Sequence, residues 1–448
     1  MEMERLSGYR GELRRALEEE GINIGDLISV RSRGFEYRGI LMPRSELEDE
    51  WHIVLKLKSG YNIGVAYRPG ETVIRRLGEA EKPHFRPPPP PVSKEGLPRV
   101  SIISTGGTIA SRVDYFSGRV YPAISASDLY SVVPELSEIA VIRSEILYSV
   151  FSEDLTPEHW SGMARRVAEE IEGGVDGVVI THGTDTMGYS AAALSFALQE
   201  LPVPVILVGS QRSSDRPSSD AALNLIGAVT AAARAPFAEV VVGMHRTTSD
   251  TEIAFHRGTK VRKCHTSARW AFQSVNTEPL ALYRKGRIEM ILKDYRRRDP
   301  ERQLVLRDRF EERVALVKFH PGFDPELIDW LVDRGYRGIV LEGTGLGHVA
   351  QRCFKSVGRA VEEGLIVAMT SQCIWGRVHM KVYRNGIMLL RLGVIPMEDM
   401  LPETALVKLM WALGQTEDRE EAVRLLRKNI AHEFSPRTLY QPWGGVQR

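Results

Sequence analysis

The sequence predicts an α/β protein with parallel sheets, preceded by a small β-barrel, and three observations carry that prediction. Apolar runs of strand length alternate with amphipathic helical stretches from Arg99 onward, the pattern of right-handed βαβ units with helices on both faces of a sheet. Five consecutive prolines at 87–91 set this region apart from a shorter one ahead of it, and such a run favours extended polyproline II and acts as a spacer. In the shorter region strand-like pieces follow one another closely, with turn residues and no helical crossover between them.

Taken in order, Leu6, Leu13, Ala16 and Leu17 share one face of a short helix. Strand-like pieces follow at 26–30, 37–42, 53–57 and 61–65, punctuated by Gly34, Gly39, Ser59-Gly60 and Pro69-Gly70, which suggests an antiparallel barrel of the SH3 or Sm kind. Such a unit serves equally well as a docking module or as cover for one flank of the main body. Beyond the linker, a strand at 99–104 leads to a helix with Thr156 as N-cap and Pro157 at its first position. Trp160, Met163, Ala164, Val167, Ala168 and Ile171 form its apolar face, and Gly173-Gly174 ends it. Strands at 177–181, 204–209 and 239–242 then alternate with helices at 186–198 and 220–233. The connection at 294–307 is too charged to be core, and a second block follows: strands at 314–319, 338–342 and 365–370, helices at 325–334 and 349–363, and a last helix at 402–413. The expected divisions are a barrel at 1–82, a linker at 83–98, a large domain at 99–293, a smaller domain at 308–430 and a tail at 431–448.

Composition narrows the function. Lysine and arginine number 59 against 58 acidic residues, so no field of the whole molecule draws it to nucleic acid or an anionic membrane. The stretch 1–20 is rich in Arg and Glu and has no apolar segment of a secretory signal, and no uncharged run is long enough to span a bilayer. Cys264, Cys353 and Cys373 have no metal-ligand spacing, which points to reduced thiols, no bound metal and a cytoplasmic setting.

Two motifs carry the chemistry: Ser-Thr-Gly-Gly-Thr-Ile-Ala at 104–110 and Thr-His-Gly-Thr-Asp-Thr-Met at 181–187. Each follows a predicted parallel strand, and loops at the carboxyl ends of such strands are where α/β sheets bind ligands. The hydroxyls of Thr108 and Thr184 are therefore candidate reacting atoms, although a threonine needs a base before it attacks anything. Gly106 and Gly107 allow close approach to the backbone and leave amide groups free for a developing oxyanion; a plain tight turn is the other reading. Neither this loop nor Gly-Thr-Gly-Leu-Gly at 343–347 has phosphate-loop or dinucleotide spacing.

Together with Val-Gly-Ser-Gln-Arg at 208–212 and Ser-Val-Asn at 274–276, the two motifs resemble the L-asparaginase and glutaminase family that uses a threonine nucleophile, from about residue 100 to 430. That resemblance implies an asparaginase-like two-domain α/β fold. It implies Thr108 as the acyl-forming nucleophile, and Thr184, Asp185 and Lys263 as a second cluster whose lysine takes up and returns protons. Lys260 is a rival for that lysine, and a solvated basic loop at 260–263 is the reading without chemistry. Ser152 would donate to the substrate's α-carboxylate; Glu153, where many free asparaginases carry glutamine, would favour its α-ammonium; an acidic turn before a helix also accounts for the pair. Tyr115 would close a lid over the nucleophile, with Tyr121 as its alternative. His182 reads as a structural histidine, and His348 stands where related enzymes carry an asparagine reaching into a neighbouring subunit's site.

The barrel on its polyproline spacer, with Ser-Gly-Tyr-Asn-Ile-Gly-Val at 59–65, Ile-Ala-Ser-Arg-Val-Asp-Tyr at 109–115 and Thr-Ser-Gln-Cys-Ile-Trp-Gly-Arg-Val at 370–378, resembles the glutaminase subunits of archaeal tRNA-dependent amidotransferases. The resemblance implies glutamine hydrolysis here and ammonia passed to a partner, the amidotransferase's E subunit. That partner would use ATP and Mg²⁺ to convert misacylated Glu-tRNA(Gln) to Gln-tRNA(Gln) and would provide most of the tRNA contact. This chain would bind no cofactor and would form a homodimer within an α2β2 assembly. A free-standing asparaginase/glutaminase with an accessory domain and an inactive docking scaffold remain as alternatives.

Overall fold

A computed structural model describes residues 6–44, 49–58, 62–80, 96–107, 109, 111–114, 119–122, 129, 133–212 and 218–438, the stretches 111–114 and 119–122 by their backbone alone. The N-terminal unit is an antiparallel sheet in the order Asn62–Ala66, His52–Lys56, Phe35–Leu41, Asp26–Ser32, Val73–Glu79. Helix Gly11–Glu19 lays Leu13 and Leu17, one turn apart, into a core with Ile28, Val30, Leu41, Ile53 and Leu55. Four strands were expected and five are present among the described residues. Val73–Glu79 pairs with the first strand, but it buries only Ile74, so its sequence lacks the alternation that marks a strand.

The large domain holds an eight-stranded sheet, in the order Arg287–Met290, Ala281–Arg284, Glu252–Arg257, Val240–His245, Val205–Val208, Gly177–Thr181, Arg99–Ser104, Val141–Ile146. The last five of these run parallel and the first three are antiparallel additions. Period-two geometry sends successive side chains to opposite faces. Val178 and Ile180 accordingly join a core with helices Pro157–Glu172 and Met187–Ala197, whereas Val179 joins a second core with helix Ala221–Arg234.

In the smaller domain, strands Val314–Lys318, Gly338–Gly343, Ile366–Ser371 and Ile395–Pro396 run parallel. Helices Glu326–Asp333 and Phe354–Glu362 cover one face. Helix Pro402–Gln415 covers the other and belongs at the same time to the core of the large domain, through Leu409, Trp411 and Leu413. The two sheets are thus welded through one helix. The charged connection at 294–307 buries no residue, as expected. It is nevertheless tied down, with Arg298 donating to the carbonyls of Ala233 and Asp176 and Arg302 to that of Leu201.

From Arg99–Ser104 the chain passes to Val141–Ile146 on one side and then crosses to Gly177–Thr181 on the other. Strand order therefore reverses at Arg99–Ser104, and the crevice outside the carboxyl ends of strands at such a reversal is where open α/β sheets bind ligands.

Candidate active site

Three loops meet in that crevice, and glycines permit the meeting. Gly106 and Gly107 both have positive φ, +116° and +83°, which L side chains rarely adopt. A methyl carbon on Gly107 would stand 2.8 Å from Gly183 N, and one on Gly183 would stand 2.8 Å from Ser152 Cβ. Thr105 fastens the first loop to the second, both its backbone N–H and its hydroxyl donating to Thr181 O at 3.0 Å. Gly209, at the end of the next strand, lets its neighbours close in: a methyl there would lie 2.8 Å from His182 O and 2.9 Å from Thr184 Cγ2.

Behind the second loop His182 is buried, and burial lowers its pKa from the ordinary 6.5 to about 4. As a neutral ring it donates from Nδ1 to Gly183 O (2.6 Å) and accepts at Nε2 from Ser190 Oγ (2.8 Å), which in turn accepts from Trp160 Nε1 (3.1 Å). This chain of donors holds the Gly183 peptide in place, a structural duty as expected for His182.

Lys263 arrives on a hairpin of Val261–Lys263 with Phe272–Ser274. Alternation gives this strand two faces. On one, Val261 enters the core with Met187 and Lys263 donates from Nζ to Thr184 Oγ1 (2.8 Å) and Asp185 Oδ1 (2.7 Å). On the other, Lys260 Nζ reaches Asp399 Oδ2 at 2.7 Å and Arg262 reaches Glu403 at 3.1 Å. The two lysines separate by environment: the Lys260 and Asp399 side chains are each 2% exposed, whereas Lys263 is 13% and Asp185 69% exposed. Burial pushes the pKa of Lys260 down against the opposing pull of Asp399.

The structure thus brings Thr184, Asp185 and Lys263 into direct contact. It buries Ser152 against Gly183, with Ser152 O accepting from Thr186 Oγ1 at 2.6 Å. Glu153 is exposed beside it, its Oε2 3.5 Å from Ser152 Oγ. Thr108 and Tyr115 lie outside the described residues, as does the side chain of Tyr121. His348 lies in the smaller domain, its ring edge-on to Tyr383 with centroids 5.5 Å apart. Sequence reasoning missed Asp399; a Lys–Asp pair separated by more than a hundred residues leaves no local signal.

Residues 99–296 match the family described as Asparaginase, N-terminal, and 313–426 the Glutaminase/Asparaginase C-terminal domain. Among solved structures, the thermostable L-asparaginase from Thermococcus kodakarensis superposes with a TM-score of 0.67 at 34% identity, covering 75% of this chain and 99% of that one. L-asparaginase I from Vibrio cholerae does so with 0.67 at 29%, covering 76% and 99%. Those enzymes cover about three quarters of this chain, and residues 22–74 match the GatD N-terminal domain. The chain belongs to the GatD family, the D subunits of glutamyl-tRNA(Gln) amidotransferases. The D subunit of Pyrococcus furiosus is 52% identical over 429 residues, covering 94% of this chain and 97% of its own length. That of Thermofilum pendens is 47% identical over 453 residues, covering 98% and 99%. The GatD relatives thus match 94% and 98% of this chain, the asparaginases about three quarters of it.

Proposed function

We propose that this chain is the glutamine-hydrolysing subunit of a glutamyl-tRNA(Gln) amidotransferase. The observation that carries the reading is the presence on one chain of the N-terminal unit shared with the GatD relatives and of a lysine bonded to both Thr184 and Asp185. In the proposed reaction the Thr108 hydroxyl attacks the side-chain amide carbon of glutamine, the C–N bond breaks, and ammonia leaves as a γ-glutamyl ester forms. Water then cleaves the ester, giving glutamate and restoring the hydroxyl. Each half needs a proton moved from nucleophile to leaving group. Thr184 and Lys263 carry it, with Asp185 holding the lysine in reach. Ser152 and Glu153 bind the α-carboxylate and α-ammonium, and Tyr115 covers the site.

The ammonia goes to the amidotransferase's E subunit, where ATP and Mg²⁺ activate the glutamyl group of Glu-tRNA(Gln), with tRNA held mainly by that partner. The chain works in the cytoplasm as a homodimer within an α2β2 assembly; among the described residues no helix is long and apolar enough to cross a membrane. The test is hydrolysis of glutamine and asparagine by the chain alone and copurified with its large partner. Glutamine turnover that rises in the complex supports the proposal. Asparagine turnover indifferent to the partner would favour a free-standing asparaginase, and no turnover in either state would favour a scaffold.

A further inference from the structure

We infer that the buried Lys260–Asp399 ion pair, closed by the C-terminal segment at Ser435, positions Lys263 on Thr184. The inference rests on the proposed proton-carrying role of Lys263 and adds the device that sets its place. The segment 259–263 is held along its length by groups from the far end of the chain. Thr259 donates to Ala431 O (2.8 Å) and its carbonyl accepts from Thr404 Oγ1 (3.1 Å); Lys260 is held by Asp399 and Arg262 by Glu403. Asp399 divides its oxygens: Oδ2 takes Lys260, and Oδ1 accepts the backbone N–H of Ser435 at 2.9 Å.

The strap that delivers Ser435 is itself pinned. Glu433, buried, accepts from the N–H groups of Ile430 (3.0 Å) and Ala431 (2.7 Å) and from Lys408 Nζ, while Arg377 donates to Ser435 O (3.0 Å) and Thr438 Oγ1 (2.9 Å). Asn276, two residues past the hairpin, donates to Asp399 O at 3.1 Å. Three residues of extended chain span about 10 Å, so an anchor at Lys260 fixes the depth to which Lys263 reaches into the crevice. A shift of about 1 Å in a catalytic group can cost on the order of a hundredfold in rate. Asp399 is accordingly a positioning residue; it touches neither Thr184 nor Asp185.

The test compares Asp399→Asn with the double variant Lys260→Met/Asp399→Leu in the full chain purified with its partner. Glutamine kcat and KM, thermal unfolding, and acylation of Lys263 by an amine-directed reagent, followed by peptide mass spectrometry, are measured together. Asp399→Asn should lower kcat about tenfold or more with KM within about threefold, and labelling of Lys263 should rise severalfold as it leaves Thr184. The double variant, with no buried charge left unpaired, should regain thermal stability while kcat stays low. Recovery of wild-type kcat in the double variant, or unchanged Lys263 labelling in folded Asp399→Asn, would overturn the inference. If Asp399→Asn fails to fold, the double variant decides. Should Lys263→Met keep full turnover, the proton-transfer reading fails, and labelling still decides whether Asp399 sets the position of Lys263.

Discussion

Two lysine–aspartate pairs sit three residues apart on one short segment and have opposite surroundings. Lys263 with Asp185 stands at the mouth of the crevice, its carboxylate largely in water. Lys260 with Asp399 is sealed in the seam between the two domains. The pairs have nearly the same N–O distance, 2.7 Å in each. Burial distinguishes them: a charge near water can exchange partners and protons, while a sealed charge has only the partner it was folded with. Substitutions at the open pair should therefore act mainly on rate, and those at the sealed pair on stability and, to a smaller extent, on rate through the position of Lys263.

The largest effect is expected at the open pair. Lys263→Met keeps most of the aliphatic stem and removes the amine, so kcat for glutamine should fall by about 10²–10⁴ with KM little changed. The unfolding midpoint should stay near that of the parent, and steady-state kinetics beside a thermal scan checks both. At the sealed pair, Lys260→Met strands a buried carboxylate and should cost about 3–5 kcal/mol, read from urea unfolding. Its turnover, measured where the variant is folded, should fall far less than that of Lys263→Met. The opposite ranking in rate would move proton transfer to Lys260.

A smaller effect concerns the support of the open pair. His182 behind the Thr184 loop is held near pKa 4 and His256 near 3, both by burial. A ring kept neutral in the fold gains its proton first in the unfolded chain, so stability is full above pH 6.5 and declines as pH falls through 6.5 toward 4. Between pH 7 and 5 the loss should be about 2 kcal/mol per histidine, measured by urea unfolding at both values. A flat profile would mean that these rings take up protons as readily in the fold as in the unfolded chain.

The same contrast explains what could be read from the residues. The parallel strands were legible because they are buried on both faces, so 99–104 and 177–181 carry largely apolar runs whose bounds the structure reproduces. Val141–Ile146 was not, since an edge strand carrying Arg143 and Glu145 has no such run. The antiparallel strands Glu252–Arg257, Ala281–Arg284 and Arg287–Met290 were missed, as were helices Arg384–Arg391 and Arg419–Arg427. Those helices are only eight and nine residues long and bury two residues each, so the period that marks a helix has barely two turns in which to show. At the site, the family resemblance implied Thr184, Asp185 and Lys263 as one cluster, and the fold joins them; the local sequence by itself pointed only to the threonines. It could not separate Lys263 from Lys260, because the difference is made by Asp399 and Ser435, contacts that exist only after the domains close.

The central claim is that this chain contributes to amide synthesis the nitrogen it releases from glutamine. The direct measurement is Gln-tRNA(Gln) formation by the Thr108→Ala complex at matched pH and ATP, first with glutamine and then with an ammonium salt. Product should be absent with glutamine and restored with ammonium, since the proposed division of labour assigns the ATP and tRNA chemistry to the partner. Failure of ammonium to rescue a folded, partner-bound variant, or undiminished product with glutamine, would contradict the account.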